Sequence, residues 1–298
     1  MEIIGILAAL GTALSWSLSS LVSPYCVKEI GALAFNRWRQ IFMFAFLGLI
    51  ATALGTWTSM SYAQAAILAL SGFIGIFIGD TALFSMMGRL GPRRTQMIFS
   101  THAPMTVVLG VIFLGEEITA YRALGSMLVI VGIWIAIVYG KRKDQLHVWE
   151  QIKGTLIVGV GIGMIAAFGQ ALGALMTKPI MAGGVDPYAA AAVRVGAAGF
   201  CFSLFQVVGF RIFDAIKPPT RLVLALTFLS GFLGLGVGMT LYMVGLAFTS
   251  AGNVAVLSST VPVLMLPLIW IITKERPAFP AFVGAASAVA GTSLIFLS

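Results

Sequence analysis

The chain is a succession of apolar runs about 20 residues long, separated by short breaks that carry its charges, prolines and glycine clusters. A bilayer core about 30 Å thick takes about 20 helical residues to cross. Inside it every backbone N–H and C=O must be bonded within the protein, so only helices or closed barrels span it. The runs are continuously apolar without period-two alternation, which excludes barrel strands. Ten segments are readable, near 3–23, 33–54, 65–87, 94–113, 122–139, 153–176, 187–209, 221–243, 252–272 and 279–297. Only 9% of the 298 residues are charged, against roughly 25% in a soluble domain. Such a chain cannot cover its own surface with solvated groups. The expected fold is an all-α membrane protein with ten transmembrane helices. No basic segment precedes the first run, and further runs follow it, so the N-terminus does not read as a cleaved signal.

The two halves of the sequence repeat one another. SGFIGIFIGDT begins at Ser71 and SGFLGLGVGMT at Ser230, an offset of 159. Pro104 and Pro262 each lie 13 residues before an acid, Glu117 and Glu275. Gly125 and Gly132 in the fifth segment match Gly284 and Gly291 in the tenth. Pro24 and Arg39 match Pro179 and Arg194 at an offset of 155. The boundaries expected are a first five-helix repeat over 1–140, a basic linker loop over 141–152 and a second repeat over 153–298. Five is odd, so the second copy must run upside down relative to the first. Inverted repeats of this kind build many secondary transporters, with the substrate site near the midplane.

The net charge of +8 reports basic loops on one side of the membrane; no basic run is long enough to make a nucleic-acid face. Thirteen Lys and Arg fall in the loops after odd-numbered segments and two on the opposite side. The positive-inside rule then puts those loops in the cytoplasm and both termini outside. Cys26 and Cys201 give neither a disulfide framework nor a metal spacing. There is no HExxH, GxSxG or Walker-type loop. No cofactor, metal or enzymatic activity is expected.

The duplicated five-segment plan, an Arg early in the second segment of each copy, and FLGEE at 113–117 leading into paired glycines resemble the EamA-type transporters of the drug/metabolite transporter superfamily. The stretch 79–117 is especially similar. The resemblance covers essentially the whole chain. It implies export of amino acids or other small metabolites through a cavity lined by the first four segments of each copy, with the fifth segments peripheral. It also implies cytoplasmic termini, opposite to the charge count. The second copy departs from the pattern at 273–275, TKE in place of GEE.

Asp80 is the carboxylate well inside an apolar run. An acid at a helix centre costs about 2.5–3.5 kcal/mol even on the lenient insertion scale. A partner, a water-filled cavity or a bound proton must offset that. Proton coupling and binding of a substrate ammonium are the functional readings; a structural pair is the plain one. Its counterpart is Met239, so the charge breaks the repeat. Arg39 and Arg194 are duplicated cations, read either as interfacial anchors or as attractors of a substrate carboxylate near opposite mouths of the protein. His102 is a candidate proton relay or a hydrogen-bonded helix residue. Pro104 and Pro262 are read as helix kinks. The hydroxyls before them, among them Thr101 and Ser259, would then line matching polar pockets. Trp16 sits deep in the first segment among serines, where it packs or lines the cavity. Gln170, Tyr242 and Asn253 are further candidates for substrate contact or interhelical bonding.

The function expected is a secondary active transporter exporting small polar metabolites, amino acids foremost, by alternating access with possible proton coupling. The alternative is a multidrug exporter of lipophilic cations, whose carboxylate would be ringed by aromatic groups. The partners expected are a small-molecule substrate, protons and the lipid bilayer. A monomer or weak homodimer in the plasma membrane of a prokaryote completes the expectation.

Overall fold

The computed structural model describes residues 1–139, 155–273 and 278–296, and among these it contains helices and turns but no strand. The expected basic linker at 141–152 and Glu275 lie outside the described residues. The α-helices are α1 (Glu2–Ile30), α2 (Ala32–Ala53), α3 (Tyr62–Gly72), α4 (Gly79–Phe99), α5 (His102–Leu114), α6 (Ala120–Tyr139) and α7 (Leu156–Ala182). They continue as α8 (Pro187–Val207), α9 (Arg221–Gly231), α10 (Gly238–Phe248), α11 (Ala251–Ser258), α12 (Val261–Thr273) and α13 (Phe279–Phe296). Among the described residues, 6 helices are long and apolar enough to cross a membrane, and shorter apolar helices accompany them. The architecture is that of an all-helical membrane protein.

Helix starts follow local chemistry. Ser61 and Gln64 form a capping box at α3, Asp186 caps α8 ahead of Pro187, and Thr220 and Ser250 cap α9 and α11. Each side-chain oxygen satisfies a backbone N–H that the first helical turn leaves unpaired.

Two irregularities recur at one spacing. The π-helical stretch Phe73–Ile78 joins α3 to α4, and Phe232–Val237 joins α9 to α10; both lie at the offset of 159 seen in the sequence. Breaks at 100–101 and 259–260 separate α4 from α5 and α11 from α12. Each break is held by hydroxyls that bond carbonyls three residues back. Thr101 bonds Ile98 at 2.6 Å, Ser259 bonds Val256 at 2.7 Å and Thr260 bonds Leu257 at 2.7 Å. Such bonds compete with the helical ladder.

The helices break at 100–101 and 259–260, just before Pro104 and Pro262, and the prolines sit in the first turn of α5 and of α12, where the missing N–H costs nothing. The structure revises one reading. The segment expected at 94–113 is divided, since α4 runs on to Phe99. A Cβ on Gly163 of α7 would touch both Met86 and Ile98 of α4.

Small residues set the packing. Helices α2 and α8 run antiparallel, with Gln40 beside Gly199 and Phe44 beside Gly196. Helices α6 and α13 also run antiparallel, and the glycines paired in the sequence meet crosswise. A Cβ on Gly125 would lie 2.7 Å from the Gly291 oxygen, and one on Gly132 2.5 Å from the Gly284 oxygen. Backbones this close gain dispersion contacts that lipid cannot match. Gly132→Leu should therefore push α13 away and cost about 1–3 kcal/mol, as overpacking does. A lower Tm in detergent checks this; an unchanged Tm would mean the two helices do not depend on that contact.

Candidate functional site

Arg39 is the eighth residue of α2 and Arg194 the eighth of α8. Eight helical residues carry each about 12 Å inward, close to the middle of a core about 30 Å thick. Both side chains are buried, Arg194 to 1% exposure and Arg39 to 8%. They do not lie near opposite mouths, as the sequence suggested. Arg39 Nη2 lies against Gly234 and Arg194 Nη1 reaches Met239, five residues further along the same helical run, so both guanidiniums approach one region.

The seating of the two arginines is reciprocal. Nη2 of Arg194 lies where a side chain on Gly75 or Gly173 would stand, 3.3 and 3.1 Å from those Cβ positions. Nη2 of Arg39 lies 2.5 Å from the corresponding position at Gly234. Gly75 and Gly234 are equivalent glycines, each inside a π-helical stretch. Each half thus places its buried cation against the irregular helix of the other half. Any larger residue there would collide with a guanidinium.

Asp80 is partly exposed and accepts a hydrogen bond from Asn36 Nδ2 at 3.3 Å. Asn36 in turn accepts from Gln40 Nε2 at 3.4 Å. Asn36 and Gln40 were missed in the sequence. The available signal was their spacing: residues 36, 39 and 40 share one face of a helix, and a polar face inside an apolar run requires a reason. Arg39 Nε and Arg194 Nε have no hydrogen-bond partner. Arg39 lies 5.2 Å from the Phe35 ring centre. Nη1 of Arg194 reaches only sulfur, Met239 at 4.0 Å and Met243 at 3.9 Å.

The serine-rich stretch of α1 faces the second π-helical segment. A π-helical turn disturbs the backbone ladder and leaves carbonyls to be bonded elsewhere. Ser15 Oγ donates to the Leu233 oxygen at 2.5 Å and Trp16 Nε1 to the Gly234 oxygen at 2.9 Å. Ser19 Oγ donates to the Ser230 oxygen at 2.8 Å. Trp16 stacks on Tyr242 with ring centres 5.7 Å apart and planes at 24°. Tyr242 is 1% exposed, and its buried hydroxyl has no hydrogen-bond partner. Asp80, Arg39, Arg194, Trp16 and Tyr242 therefore meet in one central cluster; Gln170 lies in α7.

The remaining candidates lie elsewhere. His102 is 1% exposed, with Nδ1 unpartnered and its ring 4.9 Å from that of Phe99; no charged group acts on it. Thr101 and Ser259 bond their own backbone, as described above. Asn253 donates to Thr249 Oγ1 at 3.1 Å, toward one end of the bundle. Among the described residues no group of three or more His, Cys, Asp or Glu could hold a metal.

At that end a polar latch joins the halves. Glu116 accepts from the backbone N–H of Ala251 at 2.5 Å and of Gly252 at 3.2 Å, at the start of α11. A carboxylate suits a helix N-terminus through both its lone pairs and the helix dipole. Glu2 Oε1 accepts from Arg122 at 2.6 Å and from Thr249 Oγ1 at 3.2 Å. Lys178 Nζ donates to the Leu246 oxygen at 2.8 Å, within the fields of Glu116 and Glu2. Glu116→Ala removes two charge-assisted bonds and should cost about 1–3 kcal/mol. The fall in Tm should be matched by faster cysteine labelling at Gly252→Cys, and unchanged labelling would show that the latch does not hold this end closed.

A helical membrane bundle with a buried charged cluster shared by two halves is the framework of a transporter. The chain belongs to the EamA-like transporter family, whose model matches residues 3–138 and again 157–297. An uncharacterized transporter of Archaeoglobus fulgidus is 25% identical over 281 residues, covering 94% of this chain and 93% of that protein. A solved crystal structure superimposes with a TM-score of 0.81 at 15% identity, over 98% of this chain and 96% of that one. This last likeness is one of fold.

Proposed function

We propose that the chain is a secondary active transporter that exports small polar metabolites, amino acids foremost, across the plasma membrane of a prokaryote. In this reading ten spans form two inverted five-helix repeats, over 1–140 and 153–298, joined by the basic linker 141–152. One half rocks against the other and exposes the central cluster to each side in turn. The family match in two stretches, 3–138 and 157–297, supports the duplication. The recurrence of π-helical stretches at Phe73–Ile78 and Phe232–Val237 supports it from the structure.

The observation that carries the proposal is the burial of Arg39 and Arg194 against the π-helical stretches of opposite halves, with Asp80 bonded to Asn36 on the same helix face as Arg39. A soluble protein places such charges at its surface. A membrane protein that buries them bears a cost that persists where a substrate or ion pathway needs them. Asp80 is the proton-coupling group in this reading, because His102 faces no charged partner. The cation-exporter alternative finds aromatic groups at the site in Trp16 and Tyr242. Two buried arginines beside one carboxylate weigh against it, since like charges in low dielectric repel strongly.

Proteoliposome flux tests the proposal. Wild type should accumulate labelled amino acids against a gradient when a pH difference is imposed. Asp80→Asn should lose that accumulation while retaining exchange at equal pH. Accumulation unchanged in Asp80→Asn would remove the carboxylate from coupling, and no flux of any small polar solute would end the transporter reading.

A further inference from the structure

The two halves place equivalent cations but not equivalent acids at the centre. Arg39 has Asp80 in its own half. The residue equivalent to Asp80 in the second half is Met239, and it is Met239 that Arg194 meets, at 4.0 Å. Thioether sulfur is a weak acceptor and carries no charge. Arg194 is 1% exposed, its Nε is unpartnered, and among the described residues the ion pair within 4 Å is the remote Glu2–Arg122 contact. Among the described residues neither Arg39 nor Arg194 has a carboxylate within 4 Å, and the acid equivalent to Asp80 is missing beside Arg194, so its charge lacks a local counter-charge. An unpaired buried ion is costly by several kcal/mol.

We infer that Arg194 is the anchor for the carboxylate of a small organic anion, and that the transported substrate carries a net charge of −1. The inference rests on the transporter reading and narrows its substrate class. A neutral zwitterion would leave the excess charge in place, and a lipophilic cation would add to it. A monoanion closes the balance. Its carboxylate accepts a charge-assisted hydrogen bond from Arg194, whose Nε has no partner. Its hydroxyl or ammonium group meets Asp80 and Asn36. Two chemistries satisfy this: a hydroxy monocarboxylate, and an amino acid with an acidic side chain. Met239 and Met243, unbranched and adaptable, are the wall that yields when the carboxylate enters.

The test is thermal stabilisation of the purified full-length protein in detergent, followed by flux in proteoliposomes. Lactate, glutamate, leucine and tetraphenylphosphonium serve as probes. Glutamate or lactate should raise Tm and move across the membrane; leucine and tetraphenylphosphonium should do neither. Whichever anion acts separates the two chemistries. Two variants then locate the charge. Met239→Asp gives Arg194 the acid that the first half already has, and should weaken anion binding by about tenfold or more. Arg194→Met should abolish the anion-dependent shift while the ligand-free protein stays as stable or gains stability, because a buried unpaired ion is replaced by an apolar side chain of similar length. A purely structural Arg194 would instead lower the ligand-free Tm. Stabilisation or flux with leucine or tetraphenylphosphonium equal to that with glutamate, or an anion shift that survives Met239→Asp, overturns the inference and leaves the transporter reading standing. Absence of binding and flux for every solute overturns both.

Discussion

The centre is organised around one constraint: each half places a buried arginine against a glycine in the π-helical stretch of the other half. This fixes several features at once. It requires glycine at 75 and 234, because Nη2 of Arg194 and of Arg39 occupies the space a side chain would need. It requires a widened helix at Phe73–Ile78 and Phe232–Val237, since a π-helical turn moves the backbone away from the regular path. It also explains the serines of α1, which bond the carbonyls of the second widened stretch. Hydrophobic sorting cannot hold helices together in lipid, because both alternatives are apolar. Close backbone approach and bonded polar groups must do so: Gly72 stands against the backbone of Arg194, and Ser15 and Trp16 bond the carbonyls of Leu233 and Gly234.

Much of this was legible in the sequence, for physical reasons. The apolar runs are dictated by bilayer thickness, and the helical class follows from backbone hydrogen bonding alone. The duplication was readable because SGFIGIFIGDT and SGFLGLGVGMT keep their glycines in register, and those glycines turn out to be the sites of closest contact. Gly125, Gly132, Gly284 and Gly291 were readable for the same reason. The meeting of Arg39 and Arg194 was not. Counting turns placed each correctly within its helix, but the reading assigned the side chains to the ends of the bundle and neglected that eight residues reach almost to the middle. Asn36 and Gln40 were passed over because neutral amides are common hydrogen bonders. Their role emerges only when α4 brings Asp80 to α2. The prolines mark the breaks at 100–101 and 259–260, but not the hydroxyls before them that turn back onto their own carbonyls.

The centre and the latched end differ in kind. At the centre, close contacts through glycine are joined by hydrogen bonds from Ser15, Trp16 and Ser19 to carbonyls of the second half. At the end formed by Glu2, Glu116, Arg122, Lys178 and Thr249, the halves are joined by a few hydrogen bonds with charged partners. Such bonds are strong individually but are replaced by water when the end opens. A protein that rocks one half on the other needs this division. The pivot must keep its contacts through the motion, and the closed end must exchange its contacts for solvent at small net cost. The acid at 116 is suited to the second task. It bonds the N-terminus of α11 rather than another charged side chain, so opening leaves one helix end and one carboxylate to hydrate, both of which water serves well.

The same division bears on the broken symmetry at Asp80 and Met239. A fully symmetric pair of Arg–Asp contacts would neutralise the centre and make it self-sufficient. It would then be a structural device, with no demand for a ligand. Replacing one acid by methionine removes that self-sufficiency while leaving the crossed packing intact, because the arginine still lies against its glycines. The centre then holds a cation that an incoming anion relieves, without any change in the contacts that hold the halves together. In the anion reading, one guanidinium does both tasks: it packs against the glycines and presents the charge that the solute would neutralise.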